Sequence, residues 1–147
     1  VPQPNQVETN AWAAAAPDTV WSVLADTTAW PSWTGFDAVE VERPGEAAPH
    51  GIGAIHRFRT KMLVTREEVL AFDAPTRYEY RLLSGLPLRD YHAEVVLTPE
   101  RGGTTIVWRS RFLPGIPGSG PLARRFVRAI ITRMTTALAR EAERVTS

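Results

Sequence analysis

The chain has 147 residues, 44% of them hydrophobic and 22% charged, with a formal net charge of +1. That length and mix suit one globular domain, residues 1–147, with enough apolar side chains for a real core. The balanced charge argues against a nucleic-acid partner, and the lack of Cys excludes disulfides, thiolate metal sites and a cysteine nucleophile.

In chain order, residues 6–16 are small or β-compatible and read as a first strand. It ends at Ala16-Pro17-Asp18, where Pro suits the first turn of a helix. Val20, Trp21, Val23 and Leu24 then recur at helical spacing as far as Asp26, and Trp30-Pro31-Ser32-Trp33 predicts a second short helix with Pro near its start. From Gly35 to about Pro114, turn signals at residues 43–53, 60–61, 73–76, 84–88 and 100–103 separate six consecutive strands. Residues 113–121 (LPGIPGSGP) cannot hold regular structure and read either as a gate over a pocket mouth or as a plain linker. Beyond them Ala123, Val127, Ile130, Ile131, Met134 and Leu138 share an arc of about 100° on a helical wheel, with Arg125, Arg128, Thr132 and Glu143 opposite. This is a long amphipathic helix with one face to bury. Glu141 falls within the apolar arc, as expected if the helix overhangs its sheet there. The arginines 124, 125, 128 and 133 read as a solvated face rather than as a surface for an acidic partner.

The strand faces follow from hairpin parity, because an even-numbered turn fixes which residues share a face. A turn at Thr60-Lys61 sets His56 opposite Thr65 and Ala54 opposite Glu67. The turn at residues 73–76 sets Val69 opposite Tyr80 and Ala71 opposite Tyr78; the turn at 100–103 sets Val95 opposite Trp108 and Ala93 opposite Ser110. One face then carries Phe58, Leu63, Thr65, Val69, Ala71, Leu82, Leu97, Ile106 and Phe112 together with those residues, and the other a ladder of Arg, Glu, Asp and His. A one-sided sheet needs a cover, and the C-terminal helix is the only long segment able to supply it.

The order of one strand, two short helices, a β-meander and a long C-terminal helix resembles the helix-grip fold of the START/Bet v 1-like (SRPBCC) superfamily, in its bacterial polyketide cyclase/dehydratase-like branch. The marks are APDTVWSVLAD at residues 16–26 followed by WPSW, Glu67 before Phe72-Asp73-Ala74-Pro75, and Gly103-Thr104-Thr105 before Trp108. The resemblance implies an α+β fold with a curved antiparallel sheet wrapped around the last helix. It implies a carrier of hydrophobic small molecules (lipid, polyketide or aromatic type) or a cyclase/dehydratase-like enzyme, and no cofactor.

The inner face holds many polar atoms for a closed core: His56, Thr65, Glu67, Tyr78, Tyr80, Tyr91, Trp108 and Ser110. Each costs about 1–3 kcal/mol if buried without a partner, whereas a ligand pocket sets a few polar groups among aromatic walls. Phe58, Tyr78, Tyr80, Tyr91, Trp108 and Ser110, with Ile131 and Met134 from the helix, are the expected ligand-binding residues. Glu67 and His56, placed diagonally across a hairpin, are the candidate acid/base pair, with Tyr80 or Tyr91 donating to a developing enolate; the plainer alternative is a pair that satisfies itself. No metal site is expected, since His50 lies in a loop and His92 on the outer face. A Ser110–His56–Glu67 nucleophile lacks an elbow motif. Trp21, Trp30 and Trp33 read as core. No stretch approaches the ~18 apolar residues that span a bilayer, and the start, VPQPNQ, lacks a signal-peptide pattern. The expected protein is therefore cytoplasmic, without stable membrane insertion, and a monomer or homodimer.

Overall fold

The computed structural model describes residues 4–147; residues 1–3, part of the start read above for a leader pattern, lie outside the described residues. Strand β1 (Asn5–Ala13) leads into helix α1 (Pro17–Ala25), which begins as expected with Pro in its first turn. A 3₁₀ helix, α2 (Thr27–Ser32), follows. It starts earlier than the WPSW pattern suggests, so Pro31 sits inside it, one residue from its end, rather than in its first turn. The meander is β2 (Ala38–Arg43), β3 (Ile55–Thr60), β4 (Leu63–Asp73), β5 (Arg77–Ser84), β6 (Leu88–Glu100) and β7 (Gly103–Pro114), and α3 (Gly120–Thr146) closes the chain. Only residues 115–119 separate β7 from α3, because Gly120 and Pro121 already form its first turn.

All seven strands form one antiparallel sheet in the order β1-β7-β6-β5-β4-β3-β2. Pairing the first strand with the last curls the sheet, and α3 lies in its hollow against β1 and β7, crossing α1. This is the helix-grip arrangement. The Arg101-Gly102 turn has both residues at positive φ, 53° and 75°, the backbone of a tight hairpin, and it sets Val95 opposite Trp108 and Ala93 opposite Ser110 as expected.

Two registers differ from the parity reading. Thr60 pairs with Leu63, so the first turn is Lys61-Met62, with Lys61 at φ 56°, and the pairing slides by two residues. A slide of two keeps every side chain on its face but puts His56 directly opposite Glu67, and Phe58 opposite Thr65. In β4 a bulge between Val69 and Ala71 turns Phe72 to face Tyr78, while Val69 still faces Tyr80. Phe72 thereby reaches the core, its ring 5.1 Å from that of Trp21.

The inner face is buried where α3 and the short helices cover it: Val69, Tyr78, Tyr80, Tyr91, Trp108 and Phe112 are each less than a tenth exposed. At the β4 end it is open. Leu63 is 43% exposed, and Thr65, Glu67 and Leu82 are half-buried, so Leu63 does not join the expected buried set. On α3 the buried residues are Val127, Ile131, Met134, Thr135, Leu138, Ala139 and Ala142. The buried stripe is thus rotated from the predicted one: Ile130 is 37% exposed and Thr135 takes its place, because Thr135 Oγ1 meets Thr9 Oγ1 at 2.7 Å on β1. The helix does not overhang at Glu141. Ala142 is fully buried, Glu143 accepts the Ala14 N–H at 2.9 Å, and Glu141 turns aside to pair with Arg144.

Outside, the charged ladder forms as expected. Arg66 pairs with Glu42 at 2.6 Å, Glu68 lies between Arg43 and Arg81, and Glu94 lies between Arg77 and Arg109. Among the described residues no helix is long and apolar enough to cross a membrane.

Candidate functional site

The inner face gathers its polar groups over β3 to β7. Glu67 stands in mid-β4, where strand alternation points it inward between Thr65 and Val69. Among the described residues no side chain hydrogen-bonds or ion-pairs with its carboxyl group, and burial pushes its pKa up to about 8. Strand alternation together with this desolvation puts Glu67 on the inner face of the sheet.

The expected Glu67–His56 pair is not made. The two residues face each other across the β3–β4 ladder, but His56 Nε2 is 2.9 Å from Nδ1 of His50, and the two imidazoles stack with centroids 5.1 Å apart. Burial, and then the neighbouring His50, hold His56 down to about 4, so it is a neutral ring at neutral pH. The pairing of His50 with His56 had no warning in the sequence, since it depends on how residues 44–54 fold. There Gly45 lets the backbone press against Ala48 and Gly51, an approach that a Cβ at Gly45 would block, and Gly45 N–H donates to Pro49 O at 3.1 Å. His92, on the outer face, lies 3.8 Å from Glu79.

Three tyrosines complete the wall beside Glu67. Tyr78 and Tyr80 come from β5 and Tyr91 from β6, with neighbouring rings 6.0 Å and 6.4 Å apart. Burial raises all three above the ordinary phenol range, and the nearby Glu67 carboxyl raises each further; Tyr91 is pushed up to about 12. Trp108, on β7, donates its Nε1–H to Tyr80 Oη at 3.2 Å, with the rings edge to face. Two hydroxyls remain without a well-formed bond: Ser110 Oγ, beside Tyr91, and Thr27 Oγ1, beside Tyr78. Each is near enough to hold its tyrosine's pKa down somewhat, yet neither meets hydrogen-bond geometry. Thr27 belongs to α2 and carried no sequence signal beyond its place before Trp30. Of the remaining predicted residues, Phe58 is buried beside His56, with rings 6.1 Å apart, and also meets Trp30 and Phe36. Ile131 and Met134 are on the buried stripe of α3.

On α3, Phe126 and Ile130 are exposed apolar side chains, at 44% and 37%, as are Leu63 and Met62 at the β3–β4 turn. Two surface clefts lie elsewhere. One, of about 590 Å³ on the outer face, is walled by ion-paired Arg77, Glu79, Glu94 and Arg109; the other, of about 510 Å³, lies between Trp33 and the arginines of α3. The first is walled mainly by charged side chains, and the second is rimmed by Arg133, Arg140 and Arg144 beside Trp33.

A curved antiparallel sheet gripping a C-terminal helix defines the class of α+β proteins built on the helix-grip fold. Within that class the chain belongs to the family described as polyketide cyclase / dehydrase and lipid transport, which it matches over residues 5–143. Among solved structures, it is similar to a START superfamily protein from Mycobacterium smegmatis. That likeness has a TM-score of 0.82 at 15% identity and covers 95% of this chain and 98% of the other. It is also similar to the Zhui aromatase/cyclase from Streptomyces sp. R1128, at TM-score 0.76 and 21% identity over 99% and 97% of the two chains. The XoxI protein from Bacillus cereus gives 0.78 at 14% identity, over 97% and 98%. At these identities the likenesses establish the fold. No curated protein matches the chain in sequence.

Proposed function

We propose that the protein binds or carries a hydrophobic small molecule, of lipid, polyketide or aromatic type, between α3 and the inner face of the sheet. The observation that carries this reading is the unpartnered, half-buried Glu67 among Tyr78, Tyr80 and Tyr91, with Ser110 Oγ left unpaired beside them. A sealed core gains nothing from such a patch, because each unsatisfied group costs about 1–3 kcal/mol. A ligand supplies the missing partners. The family description, which joins lipid transport to polyketide chemistry, supports the same reading. Native mass spectrometry of protein purified from its own host tests it. A bound small molecule, lost or weakened in Tyr80→Ala and Trp108→Ala, is the expected result; the same molecule retained in both variants contradicts the reading.

One observation favours a second, enzymatic reading of the cyclase/dehydratase kind. A carboxyl near pKa 8, free of any ion pair and next to tyrosine donors, suits proton transfer at a carbon beside a ketone. His56 is not its partner in this version, since its Nε2 is engaged by His50. Glu67→Gln then abolishes turnover of a cyclising polyketide substrate and leaves its affinity within about threefold; unchanged turnover excludes Glu67 as the base.

A further inference from the structure

Every Arg of strands β3 to β7 alternates onto the outer face or sits at a strand end, and Arg57, Arg66, Arg77, Arg81 and Arg109 are held there by Glu42, Glu68, Glu79, Glu94 and Glu8. The groups turned inward around Glu67 are His56 and Phe58 from β3, Thr65 and Val69 from β4, Tyr78 and Tyr80 from β5, Tyr91 from β6, Trp108 and Ser110 from β7, and Thr27 from α2. From α3 the buried side chains are apolar apart from Thr135, which bonds to Thr9, and its arginines are exposed. No cation on any of these elements faces the carboxyl group among the described residues. Its opposite number across the ladder, His56, spends its Nε2 on His50.

From this arrangement we infer that the site selects an uncharged ligand carrying a ketone or phenol oxygen, which a protonated Glu67 and the neighbouring tyrosine hydroxyls bind as donors, and that it rejects carboxylates. The inference deepens the ligand-binding reading above and rests on it. An anion entering here meets no positive charge and leaves water for an interior wall, a cost that an uncharged oxygen largely avoids. A carboxylic acid offers one O–H donor, so the acid form of Glu67 supplies the hydrogen bond that a lysine or arginine would give elsewhere. Ionisation of Glu67 as the pH passes about 8 removes that donor and turns an acceptor pair toward the ligand oxygen.

Three ligands of one shape test this: 2-acetonaphthone, 2-naphthoate and 2-naphthylmethylammonium, titrated calorimetrically at pH 6.5 and pH 9.5. The ketone is expected to bind about tenfold or more tightly than naphthoate at pH 6.5, the factor that one lost hydrogen bond to a buried group produces. Ketone affinity is expected to fall by a similar factor at pH 9.5, and Glu67→Gln, whose amide donates but does not ionise, to lose that pH dependence. The wild-type pH dependence stands as evidence even if that variant misfolds. Naphthoate binding as tightly as the ketone overturns the selectivity and leaves the ligand-binding reading intact. The ammonium binding more tightly than the ketone, and more so as pH rises, shows an ionised Glu67 and likewise overturns it. Failure of all three to bind at millimolar concentration overturns the selectivity and the ligand-binding reading together.

Discussion

Two desolvated groups facing each other across one ladder, Glu67 and His56, pull the pH dependence of stability in opposite directions. Glu67 has a folded pKa of about 8 against an ordinary value of 4.5, so between those values the folded chain holds a proton that the unfolded chain has lost. Its contribution is full below about 4.5 and is lost as pH rises through 8. His56 is held near 4 against 6.5, so the unfolded chain takes up a proton that the folded chain refuses, and stability falls as pH drops through that window. From about pH 4.5 to 6.5 the two effects oppose each other, and from 6.5 to 8 Glu67 acts alone. Urea denaturation is therefore expected to show stability decreasing from pH 6.5 to 8 in the wild type, and Glu67→Gln to flatten that decline while exposing a steeper loss in acid. Tyr80→Phe, which leaves the buried Trp108 N–H without its acceptor, is expected to cost about 1–3 kcal/mol; a loss below about 0.5 kcal/mol contradicts the bond. The inward placement of all these residues was legible from strand alternation alone. Their pairing was not, because a two-residue slide in the turn preserves every face and changes every partner, and because His50 comes from a loop whose path depends on glycine contacts.

Among the elements, α3 carries the clearest contrast. Its apolar period announces a covering helix, but period alone could not separate the side that presses on β1 from the side left exposed. The Thr9–Thr135 hydrogen bond makes that choice by drawing the helix toward the β1 edge, leaving Phe126 and Ile130 exposed. Ile131→Ala is accordingly expected to cost about 2–5 kcal/mol, as for a filled core position, and Ile130→Ala less than about 1 kcal/mol. Equal losses at the two neighbours in thermal or urea unfolding contradict the rotation. The short elements show the same limit. WPSW correctly marks a helical segment, yet its start at Thr27 is decided by contacts with the sheet, and this brings Thr27 beside Tyr78.

At the scale of the whole molecule, element order was readable because each hairpin has its own turn chemistry and only one segment is long enough to cover a one-sided sheet. What stayed hidden was the uneven cover. The helix lies on β1 and β7, so the β4 end of the inner face, where Glu67 stands, is the less covered part. On the proposed reading that asymmetry is what would admit a ligand to the inner wall, which differs from the charged cleft on the outer face. The most direct test is an NMR titration of the ¹⁵N-labelled protein with 2-acetonaphthone. The expected result is a set of saturable shifts centred on Glu67, Tyr80, Tyr91, Trp108 and Ser110. Shifts centred instead on Arg77, Glu94 and Arg109, or no saturable shifts at all, would contradict a ligand site on the inner wall.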